Sequence, residues 1–156
     1  MVSYRIEDVR SFMNHLLRQS TFDAWEVREV KLHTMIRYQI MGDLNQAFFT
    51  EAEQAELDRS YCLWSDLKNT IFYLIKGTKQ PTLMQITLAM PKGQITEVPT
   101  EAVESFLLNI HYEDNTLTLI TAVSMKSFTL DRSAEQYWDK FIGQFLEAHE
   151  IVSTLS

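Results

Sequence analysis

The sequence predicts an α+β fold in which two pseudo-repeated helices pack on one face of a largely antiparallel sheet, with an amphipathic helix at the C-terminus. Three observations predict it. Apolar residues recur at helical spacing in two separate stretches, 9–17 and 67–75. They alternate with polar residues at strand spacing around Ile36, Ile86 and Ile110. An aromatic stripe runs at helical spacing through residues 137–146.

The 156 residues, 46% of them hydrophobic, read as one domain with a proper interior, or as two fused halves, 2–58 and 59–130, followed by a helix over 131–151. With four glycines and three prolines, few strained turns are expected. Cys62 is the one cysteine, so an intramolecular disulfide is excluded and a buried thiol in a cytoplasmic protein is expected. No stretch approaches the roughly 18 apolar residues of a membrane span, and the N-terminus lacks an apolar signal core. The net charge of −7 opposes non-specific attraction to nucleic acid or anionic membrane. It is uneven: residues 43–58 and 93–125 each carry five acids and no Lys or Arg, which reads as a solvated acidic face.

In chain order, residues 2–6 read as a short strand and 8–19 as a helix, with Val9, Phe12, Met13, Leu16 and Leu17 on one stripe. Residues 20–23 break the chain. From Trp25 to Met41 it turns β-like, with Ile36, Tyr38 and Ile40 on one face, while Trp25 and Val27 fall out of phase with Val30 and Leu32. A bulge or turn near Arg28 and Glu29 reconciles them. Gly42 ends the run. Residues 44–58 contain Phe48, Phe49 and helix formers with a weak apolar stripe, a short helix or a loop. Residues 61–64 read as a brief strand before the central helix, with Ser65 as its N-cap and Gly77 just past its end. Residues 78–81 connect to a strand over 82–90, and 91–99 connect onward, with a helical turn allowed up to Val103. A hairpin spans 106–123 around Glu113, Asp114 and Asn115, and a last strand is expected over 124–130. Ser133 and Gln136 fit a capping box for the terminal helix, with Tyr137, Trp138, Phe141, Ile142, Phe145 and Leu146 on its stripe. The remainder reads as tail.

The two helices echo one another at an offset of 58, with Asp8, Val9, Arg10, Met13, Leu16, Leu17 and Arg18 matching Asp66, Leu67, Lys68, Ile71, Leu74, Ile75 and Lys76. A doubled strand, helix, strands unit resembles in topology a domain of the DNA sliding clamps, over residues 2–130. That resemblance implies nucleic-acid-facing roles for Arg10, Arg18, Lys68 and Lys76. Phe72 and Tyr73, off the stripe of the second helix, are poor residues to leave in water and call for cover by the terminal helix or by another chain. The run from Ile6 to Leu17, the Phe128-Thr129-Leu130-Asp131 segment and the Trp-containing terminal helix resemble an uncharacterised family of short bacterial proteins. That resemblance implies no activity.

Catalytic, cofactor and metal patterns do not stand out. His15, His33, His111 and His149 are far apart, with no zinc spacing. Four scattered glycines build no phosphate cradle, and acid pairs such as Asp23 with Glu26 fall at turns. The sequence therefore points to a domain that binds, without catalysis, cofactor, metal or membrane. Its expected partner is another protein or a second copy, met through Phe72 and Tyr73 or through Tyr137 and Trp138. The alternative is a clamp-like nucleic-acid accessory, and a weaker one an unrecognised small-molecule enzyme.

Overall fold

A computed structural model describes residues 1–77 and 79–156. Thr78, in the connection expected over 78–81, lies outside the described residues. Strand β1 (Ser3–Ile6) leads into helix α1 (Val9–Leu17), whose first turn is held by Asp8: its carboxylate accepts from the Ser11 N–H at 3.0 Å. Strands β2 (Glu26–His33) and β3 (Arg37–Met41) form a hairpin, and the short helix α2 (Glu51–Glu56) and the longer α3 (Trp64–Ile75) follow. Then come β4 (Leu83–Met90), β5 (Val103–Glu113), β6 (Thr116–Met125), α4 (Ser133–Ala148) and β7 (Ser153–Leu155). The strands make one antiparallel seven-stranded sheet in the order β3-β2-β4-β5-β6-β1-β7.

The anticipated bulge is present at Arg28, where the β2–β4 register shifts between Val27 and Glu29. One extra residue flips the alternation, so Trp25, Val27, Val30 and Leu32 all reach the same core. The β5–β6 hairpin turns on Asp114 and Asn115, both at positive φ (53° and 60°), the backbone a two-residue turn needs to match strand twist. Helix α1 contributes Phe12, Leu16 and Leu17, α3 contributes Trp64 and Ile71, and α4 contributes Trp138, Ile142 and Leu146. All join one cluster with the inward side chains of the strands. The indole N–H of Trp64 donates to the Leu16 carbonyl at 2.6 Å, while Met13 and Ile75 line a common cleft, so α1 and α3 lie side by side and run in opposite directions.

Several local expectations are corrected. Leu63, not Ser65, is the N-cap of α3, because the Asp66 carboxylate accepts the Leu63 N–H at 2.9 Å. Asp131 accepts the Ser133 N–H at 2.9 Å at the start of α4 and displaces the Ser133–Gln136 box. The strand expected over 124–130 stops at Met125, and Ile36 lies in the β2–β3 turn instead of on a buried face. The expected tail supplies β7, an edge strand paired with β1.

With the helices on one side, the other face of the sheet is bare. Its register aligns Gln39, Lys31, Gln85, His111, Thr118 and Arg5 in a polar row. Within the row the Gln85 amide meets His111 Nδ1 at 3.0 Å, and beside it the Thr87 hydroxyl donates to Asn109 Oδ1 at 2.9 Å.

Candidate interaction surface

Residues 44–60 form an arm that leaves and rejoins the body at one point. The Leu44 N–H donates to the Ser60 carbonyl at 2.9 Å, and Asp43 bridges to Tyr61 beside it. A six-residue helix is too short to hold itself, so the shape of the arm rests on polar closure within the arm. Thr50 and Glu53 make a reciprocal capping box at 2.9 and 3.2 Å, which keeps the Glu53 carboxyl below its ordinary value. The Gln54 amide donates to the carbonyls of Gln46 at 2.7 Å and Phe49 at 3.1 Å, tying α2 back to the turn that carries the two phenylalanines. All six residues of α2 are exposed, and Phe48 is 81% exposed with its edge against Phe49. The arm is an Ω-like loop that presents an aromatic ring among four carboxylates.

On the helix layer, α1 and α3 flank a groove of about 530 Å³ whose lining includes Arg10, Met13, Asn14, Leu17, Arg18 and Phe72. Arg10 and Arg18 are exposed, and the Arg18 guanidinium sits 5.7 Å from the centre of the Phe72 ring. Tyr73 next to it is 67% exposed under the Lys76 ammonium at 4.6 Å. The terminal helix therefore leaves Phe72 and Tyr73 open.

The other sequence-derived candidates are placed differently. Trp138 is a correction: it is fully buried, its indole N–H donating to the Leu107 carbonyl at 2.7 Å and its ring packed on Trp25, Phe106 and Phe141, so it offers no surface to a partner. Tyr137 is half-buried beside Phe106, and its hydroxyl donates to Glu97 at 2.8 Å; burial, then that bond, pushes its pKa up to about 12. Lys68 is spent within the molecule, on the Asp23 carboxylate at 2.6 Å and the Gln19 carbonyl at 2.9 Å. Of the four basic candidates, the structure brings Arg10 and Arg18 together on one groove. Phe48 was visible in the sequence beside Phe49, and its signal was the weak apolar stripe after it: a segment with no buried face leaves its aromatics outside.

A second concavity, about 600 Å³, lies on the bare sheet face and is lined by residues including Arg28, Tyr61, Thr87, Glu104 and Ser105. The bulge turns Arg28 onto the Tyr61 ring, 3.8 Å from its centre. Cys62 is half-buried, and burial, then the Asp66 charge, raises its pKa, the opposite of what a thiolate nucleophile needs. Among the described residues, no cluster of His, Cys, Asp and Glu could hold a metal ion, and no helix is long and apolar enough to cross a membrane.

Two of the four histidines meet. His15 on α1 and His149 at the end of α4 stand edge to face at 6.3 Å, with His15 Nδ1 2.9 Å from the Thr21 hydroxyl. Burial, then the His149 charge, lowers the His15 pKa. The neutral ring is thus favoured in the folded state, while the unfolded chain takes up its proton near the ordinary value of about 6.5. Stability from this group is full above about pH 6.5 and is lost as pH falls toward the lowered folded value. The urea midpoint is expected to drop between about pH 7.5 and 5.5, and to drop less in His15→Gln. Equal slopes for the two proteins would remove His15 from that role.

The chain belongs to a family of unknown function (DUF5721), which it matches over residues 15–153. No curated protein matches it, and no solved structure does.

Proposed function

We propose that this chain is a non-catalytic protein-interaction domain that engages its partner through the 44–60 arm. The observation that carries the reading is the arm itself: a closed, hydrogen-bonded loop that orders an aromatic ring and a helix entirely outside the core. Ordering seventeen residues costs conformational entropy, and of the arm's apolar side chains only Leu44, Phe49 and Leu57 are even half-buried, so a docked partner would supply the missing contact. Single exposed apolar residues are ordinary, but Phe48 stands on a rigid base among like charges, which suits an anchor set in a polar rim.

The clamp-like alternative has less support. Lys68 neutralises Asp23, Arg18 faces Phe72, and Asp8 lines the same groove, so few free cations remain to follow a phosphate backbone. A single half-buried cysteine accords with a cytoplasmic setting.

The test is a photo-crosslinking side chain placed at position 48 in cells that naturally make the protein, with position 147 on the exposed side of α4 as control. A discrete covalent adduct is expected from 48 and none from 147. Adducts from neither position, or equally from both, overturn the proposal.

A further inference from the structure

We infer that the partner which receives the arm is a second copy of this chain, and that Phe48 and its flanking carboxylates enter the groove between α1 and α3 of that copy. The inference rests on the interaction reading above and adds the identity of the partner and the receiving site.

Charge complementarity argues for it first. The stretch from Asp43 to Asp58, which covers most of the arm, holds five acids and no base, and Arg59 beside it is paired with Asp66, in a chain whose net charge of −7 makes an accessible basic concavity scarce. The α1–α3 groove supplies one: the exposed Arg10 and Arg18 outnumber Asp8, whose carboxylate accepts from the Ser11 N–H, and neither arginine has a carboxylate within ion-pairing distance among the described residues. Its floor is apolar in the right place: Met13, Leu17 and the open Phe72 can receive an aromatic ring that otherwise stands in water.

Placement argues for it next. The arm rejoins the body at the start of α3, where Arg59 meets the Asp66 carboxylate at 3.4 Å and Asp66 also holds the Leu63 N–H. Phe72 lies eight residues along the same helix from Trp64, about 12 Å at 1.5 Å per residue. The root of the arm and the receiving groove are therefore joined through one helix. A twofold axis across α3 lets each copy give its arm and receive the other's, so the contact closes at two copies instead of propagating.

Sedimentation velocity on the full chain over a dilution series tests this. Wild type is expected as a dimer that dissociates on dilution and, because the contact is ionic at its rim, more readily as the salt concentration is raised. Arg10→Glu with Arg18→Glu reverses the groove, and Glu51→Lys, Glu56→Lys and Asp58→Lys together reverse the arm while leaving the Thr50–Glu53 box intact. Each multiple variant alone is expected to be monomeric where wild type is dimeric, with unchanged circular dichroism. An equimolar mixture is expected to recover the dimer, since each arm then meets a groove of opposite sign. Monomeric wild type, charge-reversed variants that still dimerise, or a mixture that stays monomeric overturns the inference. A position-48 adduct to a different protein, with monomeric wild type, overturns the inference alone and leaves the interaction reading standing; no adduct and no dimer removes both.

Discussion

Trp138→Ala is expected to lower the unfolding free energy by about 3–5 kcal/mol, a large part of the roughly 5–15 kcal/mol available to a domain of this size. The indole is fully enclosed, and it is the middle member of an aromatic chain that runs from Phe106 through Trp138 to Phe141 and Phe145, and sideways to Trp25. Removing it opens a cavity that rigid rings on three sides cannot collapse into, and it strips the Leu107 carbonyl of its side-chain donor. Urea denaturation followed by circular dichroism measures the loss. Tyr137→Phe, one residue away, gives up a single exposed hydroxyl bond to Glu97 and is expected to cost within about 1 kcal/mol. The contrast decides the orientation of α4. A Trp138→Ala loss below about 1 kcal/mol would mean that the helix presents this residue outward.

The same pair shows what the sequence could and could not convey. The α4 stripe is broad, and both Tyr137 and Trp138 fall within it, so periodicity alone leaves either as its edge. The structure puts Ala134, Trp138, Ile142 and Leu146 on the buried line and Tyr137, Phe141 and Phe145 on its flank. Helix α1, helix α3, the β4 strand and the β5–β6 hairpin were legible because each buries one face, and burial writes a period into the residues. The Arg28 bulge was legible for the same reason, as a break in phase. Strand β7 was not: Ser153 and Thr154 bury little, and the strand exists because β1 offers it an unpaired backbone edge from the far end of the chain. The capping roles of Asp131 and Asp66 were hidden because serines stood at equally suitable positions, and local spacing does not choose between adjacent acceptors. As for the interaction surface, the acidity of the arm was evident, but its closure on Gln54 depends on backbone carbonyls that carry no sequence mark.

Gly42→Ala is expected to cost about 3 kcal/mol or more and to disconnect the arm from the sheet, because three chain segments converge on this residue. The Gly42 N–H donates to the Arg28 carbonyl at 3.1 Å, the Cys62 N–H donates to the Gly42 carbonyl at 2.8 Å, and the Val27 N–H donates to the Cys62 carbonyl at 2.9 Å. That close approach holds the β2 bulge, the end of β3 and the segment leading into α3 against one another. A Cβ on Gly42 would stand 1.8 Å from the Val27 carbonyl oxygen and 2.6 Å from its carbon, and both are backbone atoms of a central strand that cannot step aside. The alanine must push β3 away, and the three hydrogen bonds open with it. At Gly143 a Cβ would meet only the tip of Tyr4 at 2.9 Å, a side chain that can swing, so glycine as such is not what makes position 42 intolerant. Hydrogen exchange separates local from global damage: the amides of Val27, Gly42 and Cys62 should lose protection in the variant ahead of those of the β5–β6 hairpin. Uniform loss across the sheet would place the strain in the whole core, and retained protection at all three amides would show that the chain crosses there with room to spare.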